Sequence, residues 1–270
     1  MSNFTKKFMK IRGATAVNAG AFIFAMNECL EKDGHVGTFL ETGPFYGRSA
    51  AIYLEFNNVT DGILIDRHKF YNDDDINQFG KPYSFINQDS EEYLQSRDFL
   101  KTIKNKNILH VHLDASHYYN NVKTELINIL PHVSKEGLVC LDDWNIVWPQ
   151  VTAAYYDVWF NYNFGWKFLI HGFNKAFLCH ESVFSQWSDH ILESVYPKVR
   201  EISEANLQII RTDVHPNCSA FHIRPLTGRE AKGDDLPYYG AASRAYAYKL
   251  SNGEVVKEFS DLHRPDDSKD

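Results

Sequence analysis

Short apolar runs alternate with longer segments of helical periodicity over most of the chain. The apolar runs cover residues 37–41, 62–66, 83–87, 107–114 and 137–143, and two more, 166–171 and 175–181, flank a tight turn. Runs of this length are typical of buried strands, and the segments between the first five carry apolar residues at helical spacing. This order predicts an α/β fold: a Rossmann-like, seven-stranded, mostly parallel sheet with one antiparallel strand and helices on both faces.

The two ends of the chain lie outside this alternation. Residues 15–31 predict an amphipathic helix that follows a basic, solvated arm and leads into the first strand. Residues 183–212 predict one long helix, residues 221–226 a strand, and residues 245–259 a hairpin that turns at Asn252-Gly253. The predicted units are an N-terminal arm and helix (1–35), a core (36–182) and a C-terminal helical extension with a hairpin and a polar tail (183–270).

Composition limits the class of protein. The 270 residues are 44% hydrophobic and 14% aromatic, which is enough for a substantial core. The net charge of -7 and the scattered basic residues give no footprint for nucleic acid. The run 19–26 is too short to span a membrane, so we expect no membrane partner. Cys29, Cys140, Cys179 and Cys218 form no C-x-x-C pair, which favours reduced thiols in the cytoplasm.

Residues 37–49, GTFLETGPFYGRS, predict a strand, a glycine-containing turn and a helix. In dinucleotide folds this corner carries G-x-G-x-x-G and meets a pyrophosphate, but Glu41 replaces the first glycine here. A carboxylate repels a diphosphate and suits a ligand with an ammonium group, such as the methionine end of S-adenosylmethionine. A plain strand-turn-helix corner without a ligand explains the same residues.

Acidic residues follow the ends of the predicted strands. They are Glu41, Asp66, Asp89, Asp114 and the pair Asp142-Asp143. Because parallel strands end at one edge of a sheet, these acids predict an acceptor-rich cleft. Asp66 is placed to take ribose hydroxyls, and Asp89 with the N–H of Ser90 is placed to take adenine. The alternatives are a surface carboxylate for Asp66 and a helix cap for Asp89.

Five segments together resemble a known family. They are ETGPFYGRS, LIDRH, NQDSEEYL, HLDASHYYNNV and GLVCLDDW, in that order. Over residues 36–180 the chain resembles class I S-adenosylmethionine-dependent methyltransferases, in the branch of macrocin-type sugar O-methyltransferases. The resemblance implies a seven-stranded sheet whose last strand is antiparallel. It also implies a cofactor site made of Glu41, Gly43, Gly47, Ser49, Asp66, Asp89 and Ser90.

The resemblance further implies a divalent ion held by Asp114, Asp142 and Asp143. Three carboxylates select a hard ion such as magnesium, which would lower the pKa of a bound hydroxyl. Asp114 and His117 are the predicted catalytic residues, with the His117 imidazole as the group that removes the proton. Without a metal, one acid of the pair Asp142-Asp143 would cap a turn and the other would face solvent.

The chain is therefore predicted to be a methyltransferase that acts on a hydroxyl of a small molecule. A sugar or a glycosylated metabolite is one candidate for that molecule. The chain could form a homodimer. Trp144 and Trp148 lie where an acceptor would pass.

Two other hypotheses stay open. One is a metal-dependent hydrolase that uses His110, His112 and Asp114, although a barrel-type hydrolase needs eight βα units and the chain offers about five. The other is a non-catalytic partner protein that binds S-adenosylmethionine.

Overall fold

The structure is a computed structural model that describes residues 3–203, 206–212, 220–225 and 245–248. The α-helices are α1 (Asn3–Phe8), α2 (Val17–Lys32), α3 (Arg48–Leu54), α4 (Asp73–Asn77), α5 (Ser90–Leu94), α6 (Arg97–Ile103), α7 (Tyr119–Ile129), α8 (Pro149–Asn161), α9 (Phe184–His190) and α10 (Tyr196–Ser203). Short 3₁₀ turns lie at Leu130–His132 and Glu181–Val183, and a π-helical turn, Ile191–Val195, joins α9 to α10. The strands are β1 (Gly37–Thr42), β2 (Val59–Asp66), β3 (Tyr83–Asn87), β4 (Ile108–Leu113), β5 (Val133–Leu141), β6 (Trp166–Gly172), β7 (Lys175–His180), β8 (Leu207–Thr212), β9 (Phe221–Pro225) and β10 (Ala245–Tyr248).

All described strands belong to one sheet, in the order β10-β8-β9-β6-β7-β5-β4-β1-β2-β3. Neighbours among β1 to β5 pair in parallel, while β7 runs antiparallel to both β5 and β6. The predicted Rossmann-like arrangement of seven strands with one antiparallel strand is confirmed. Beyond it, β9 pairs in parallel with β6, and β8 and β10 continue the sheet in antiparallel pairs. The predicted count of seven strands was therefore too low.

The prediction of one helix over residues 183–212 was wrong. The helical segment is interrupted by the π-helical turn and ends at Ser203, and residues 207–212 form β8. The run Leu207-Gln208-Ile209-Ile210 is buried on both faces, and a short apolar run of this kind has no period that separates a strand from a helix. Pairing with β9 makes this run a strand rather than a helix. The predicted strand at 221–226 is present as β9, whereas Asn252-Gly253, Cys218 and the tail lie outside the described residues.

The sheet is covered on both faces, so each central strand alternates between two cores. On β1, Phe39 stacks on Tyr53 of α3 at 4.2 Å between ring centroids, while Leu40 faces the core under α5 to α8. The predicted α2 helix buries Phe22, Met26 and Leu30 completely against the first of these cores. The basic arm is only partly solvated, because α1 packs Phe4 and Phe8 into the same core.

The topology places one edge of the sheet where a site can form. The carboxyl ends of β1 to β5 meet at that edge, and the antiparallel β7 begins there. At Gly43 the backbone turns with a φ of 71°, and at Gly47 with a φ of 85°. Among the described helices, none has the length and apolar character that a membrane crossing requires.

Candidate active site

A cavity of about 450 Å³ opens at the carboxyl edge of the sheet. Seven of the sequence-predicted site residues line it: Gly43, Ser49, Asp66, Asp114, His117, Asp142 and Asp143. The other four, Glu41, Gly47, Asp89 and Ser90, do not line it. The cavity thus brings together residues that are separated by up to a hundred positions in sequence, because they follow different parallel strands.

Two glycines shape the loop between β1 and α3. A Cβ atom on Gly43 would lie 2.2 Å from the carbonyl oxygen of Asp114, so the loops after β1 and β4 pass in direct contact. Gly47 is left-handed and precedes α3, and a Cβ there would meet Tyr71 at 3.0 Å. Both positions therefore favour glycine for structural reasons, and Gly43 also exposes its backbone to the cavity.

Glu41 lies beneath the cavity rather than in it. Its side chain is fully buried, and its Oε1 is 2.6 Å from Nδ1 of His112 on the neighbouring strand β4. Its Oε2 and the Nε2 of His112 have no hydrogen-bond partner among the described residues. In this position Glu41 orients His112 and makes no direct contact with the cavity, so the predicted contact with the methionine end of a cofactor stays a prediction.

Three charged groups form a row across β4, β5 and β7. Asp114 follows β4, Asp142 follows β5, and Lys175 begins β7, and the Lys175 ammonium forms an ion pair with Oδ1 of Asp142. Lys175 is 4% exposed. The carboxyl groups of Asp114 and Asp142 lie within hydrogen-bonding reach of each other. The sequence interpretation missed Lys175, because only the antiparallel pairing of β7 with β5 places its first residue beside the acids.

The two carboxyl groups of this row have pKa values that are shifted in opposite directions. Burial raises the pKa of Asp114 well above its usual range, and the neighbouring Asp142 carboxylate adds to the increase. Burial also acts to raise the pKa of Asp142, but the Lys175 ammonium outweighs it and holds that pKa well below the usual range. The pKa of Lys175 is raised, since the charges of Asp142 and Asp114 outweigh the effect of burial. Of the two facing carboxyls, Asp114 is therefore the one that more readily holds a proton and Asp142 the one that more readily carries the negative charge.

A possible set of metal donors differs from the predicted one. His112, Asp114 and Asp142 each offer a donor atom, and the three atoms lie within 4.8 Å of one another. Asp143 points elsewhere: its φ is 51°, its Oδ1 accepts a hydrogen bond from Nδ2 of Asn174 at 2.5 Å, and its Oδ2 is 2.9 Å from Nε2 of His117. The structure thus groups an imidazole with two of the three predicted carboxylates.

His117, the predicted base, lies at the rim of the cavity. Its side chain is 23% exposed, and its Nε2 is held by Asp143. The ring packs against Trp148 at 4.9 Å between centroids, whereas Trp144 packs against Phe168 at 4.8 Å. Neither tryptophan lines the cavity. The imidazole therefore has a fixed orientation, with Nδ1 as the nitrogen that Asp143 does not occupy.

The acids after β2 and β3 have different surroundings. Asp66 lines the cavity, and its Oδ1 accepts a hydrogen bond from the backbone N–H of His68 at 3.2 Å. Asp89 caps α5 by accepting from the N–H of Glu92 at 3.1 Å, and it forms an ion pair with Arg67. Ser90 is 6% exposed. The helix-cap interpretation of Asp89 is confirmed, and its contact with adenine stays a prediction.

The N-terminal segment covers the cavity, a placement that no local sequence pattern predicted. Residues 13–16 line it, and Arg48 of α3 holds the segment in place. Its Nε donates to the carbonyl of Ile11 and its Nη1 to that of Thr15, both at 2.7 Å. Arg12 lies over the ring of Tyr46 at 3.7 Å. This segment and the turn at Phe173-Asn174 form walls of the cavity.

The structure does not support the hydrolase hypothesis. His110 is fully buried, its Nδ1 contacts Oδ1 of Asn27 on α2, and burial lowers its pKa to about 3. It is not part of the donor group of His112, Asp114 and Asp142. The sheet is open, whereas a barrel would close on itself.

Comparison with protein-family models matches residues 40–144 to a model described as a methyltransferase domain. Over these residues, which belong to the predicted core, the match agrees with the prediction of a methyltransferase. No curated protein matches the chain.

Several solved structures have a similar arrangement. The apo form of CalS11, a TDP-rhamnose 3'-O-methyltransferase of calicheamicin biosynthesis, is 16% identical over 61% of this chain and 81% of that one, with a TM-score of 0.48. The O-methyltransferase NovP is 12% identical over 62% and 83% of the two chains, with a TM-score of 0.48. The S-adenosylhomocysteine-bound methyltransferase PaMTH1 of Podospora anserina is 13% identical over 67% and 88%, with a TM-score of 0.46.

Proposed function

We propose that this protein transfers the methyl group of S-adenosylmethionine to a hydroxyl oxygen of a small molecule, for which a sugar or glycosylated metabolite is our candidate class. The observation that supports this most directly is the composition of the cavity, which Asp66, Asp114, Asp142 and His117 line. Carboxylates suit the ribose hydroxyls and the positive charge of the cofactor, and the imidazole of His117 suits a hydroxyl that must lose a proton.

The proposed reaction is an in-line displacement at the sulfonium centre. The acceptor oxygen forms a bond to the methyl carbon while the carbon–sulfur bond breaks, and its electron pair stays on sulfur to give S-adenosylhomocysteine. The proton of the hydroxyl passes to Nδ1 of His117, because Asp143 holds Nε2 and stabilises the imidazolium. Once the nucleophile is ionised, the remaining contribution of the protein is to hold the oxygen near attack distance.

The residues present fit a divalent cation. Asp114 and Asp142 face each other in a buried place where two carboxylates need a proton or a cation between them, and the unpartnered Nε2 of His112 lies behind them. A bound divalent ion such as magnesium would polarise the acceptor hydroxyl as a Lewis acid. Lys175 retains Oδ1 of Asp142, so the other carboxylate oxygens are the available donors.

The cofactor part of this proposal is tested by Asp66→Ala. We expect the affinity for S-adenosylhomocysteine, measured by isothermal titration calorimetry, to fall by about 10- to 100-fold, because a charged hydrogen bond to the ribose is lost. Asp74→Ala is the matched control, since Asp74 is an exposed carboxylate on α4 outside the cavity. Equal affinities for the two variants and the parent protein would remove Asp66 from the cofactor site.

The donor set is tested by comparing Asp114→Asn with Asp143→Asn. We expect Asp114→Asn to lose Mn²⁺ binding, counted as free Mn²⁺ by electron paramagnetic resonance, because it removes a donor. Asp143→Asn should keep the bound ion and lower kcat by about 10- to 100-fold through the loss of its support for His117. If Asp143→Asn lost the ion as well, the ligand set implied by the family resemblance would be the correct one.

A further inference from the structure

Glu125 is a buried carboxyl group that the proposed reaction does not use. It lies on the inner face of α7, is 1% exposed, and neither of its oxygens has a hydrogen-bond partner among the described residues. The hydroxyls of Ser90 and Thr42 are close enough to lower the pKa of the carboxyl, although neither forms a hydrogen bond of regular geometry with it. A polar group this deeply buried is costly unless it has a role or a partner.

The two hydroxyls belong to two of the segments to which the family resemblance assigns cofactor binding. Thr42 is the last residue of β1 and directly precedes Gly43, while Ser90 is the first residue of α5 and directly follows Asp89. The two segments follow different strands, β1 and β3, which are separated in the sheet by β2. Glu125 therefore lies at the place where a single side chain can connect them.

The charges around Glu125 do not compensate an ionised carboxylate. The charged groups that act on it most strongly are Asp89, which disfavours ionisation, and His117, which favours it. Lys123, on the same helix, forms its ion pair with Asp157 of α8, and Asn121 donates to Glu91 of α5. Burial raises the pKa of Glu125 to about 7, although the hydroxyls of Ser90 and Thr42 lower it in part.

We propose that Glu125 is a positioning residue for the cofactor: its protonated carboxyl bridges the hydroxyls of Thr42 and Ser90 and holds the two cofactor-binding segments together. A protonated carboxyl donates one hydrogen bond and accepts others, whereas a carboxylate only accepts. An ionised Glu125 also requires hydration that the interior does not supply, and so it separates the segments. This inference rests on the proposed function and adds to it a dependence of cofactor binding on the protonation of a residue outside the cavity.

The test compares the parent protein with Glu125→Gln, whose amide donates and accepts like the protonated acid but does not ionise. Affinity for S-adenosylhomocysteine is measured by calorimetry from pH 5.5 to 8.5. We expect the affinity of the parent protein to fall by about tenfold over this range relative to that of Glu125→Gln. Other groups that titrate, His117 among them, are common to both proteins and cancel in the comparison. Glu92→Gln, which changes an exposed carboxyl on α5, should keep the profile of the parent.

A second measurement separates positioning from folding. Because the folded-state pKa is raised from 4.5 to about 7, the stability that Glu125 contributes in its protonated form is fully present below pH 4.5 and is lost as the pH rises from 4.5 to about 7. The Tm of the parent should therefore decrease relative to that of Glu125→Gln between these two pH values and should stay at a constant difference above pH 7. If the Tm difference appears but the affinity profiles coincide, Glu125 has only a structural role and the proposal is wrong. If no protein binds S-adenosylhomocysteine at any pH, the proposed function fails and the proposal with it.

Discussion

Replacing Lys175 by Met is expected to lower the free energy of unfolding by about 3–5 kcal/mol at pH 7. Lys175 is 4% exposed and forms an ion pair with Asp142, which is itself 9% exposed. Methionine keeps most of the side-chain volume but removes the positive charge, so the Asp142 carboxylate stays buried without its cation. Urea unfolding of the parent and the variant, monitored by circular dichroism, measures the difference.

The stability difference between the parent protein and Lys175→Met should depend on pH. The folded-state pKa of Asp142 is depressed, so the pair contributes its stability above the ordinary carboxyl value of 3.8 and loses it as the pH falls below 3.8 towards the folded-state pKa. The folded-state pKa of Lys175 is raised, so its contribution is present below 10.5 and is lost as the pH rises further. The difference between the parent protein and Lys175→Met should therefore be largest between about pH 5 and 9.

The double variant Lys175→Met/Asp142→Asn is the control for packing. It removes both charges, and we expect it to recover a large part of the stability that Lys175→Met loses. If the double variant were as unstable as the single one, the volume of Lys175 rather than its charge would be responsible.

Divalent metal should also raise the Tm of Lys175→Met more than that of the parent, because it supplies the missing cation.

Replacing Gly43 by Ala is expected to abolish cofactor binding and to destabilise the protein by about 3 kcal/mol or more. The new Cβ would lie 2.2 Å from the carbonyl oxygen of Asp114 and 2.6 Å from the Cα of Ala115. Both contacts are with backbone, so one of the two loops has to move, and Asp114 moves with it. The left-handed φ of 71° adds strain for any residue with a side chain. Calorimetry with S-adenosylhomocysteine and thermal unfolding measure the two effects.

Gly80→Ala is the matched control for this prediction. Gly80 has a similar φ of 66°, but no atom of the described residues lies within 4 Å of the position its Cβ would take. It should therefore show only the backbone strain, about 1 kcal/mol, and should bind the cofactor normally. Equal losses for Gly43→Ala and Gly80→Ala would mean that the contact between the loops after β1 and β4 has no energetic importance.

The central strands were predictable because each is a short, largely apolar run bounded by turn residues. The core helices had clear signals too: Pro149 stands at the first position of α8, and Asp89 caps α5. The failures lie where the local pattern allows two structures. The segment containing β8 has apolar residues that fit a helix or a strand, and only its pairing with β9 distinguishes them. The extension of the sheet from seven to ten strands follows from that pairing.

By itself the sequence determined the fold class, the edge of the sheet that carries the site, and the group of acids at that edge. These follow from local patterns, since strand length, helical spacing and an acid at a strand end are visible within a few residues. The tertiary structure alone decided that Lys175 pairs with Asp142, that His112 rather than Asp143 joins the two acids, and that Glu125 lies between two hydroxyls. Each of those facts depends on strand register and helix packing between distant parts of the chain, and no local pattern carries that information.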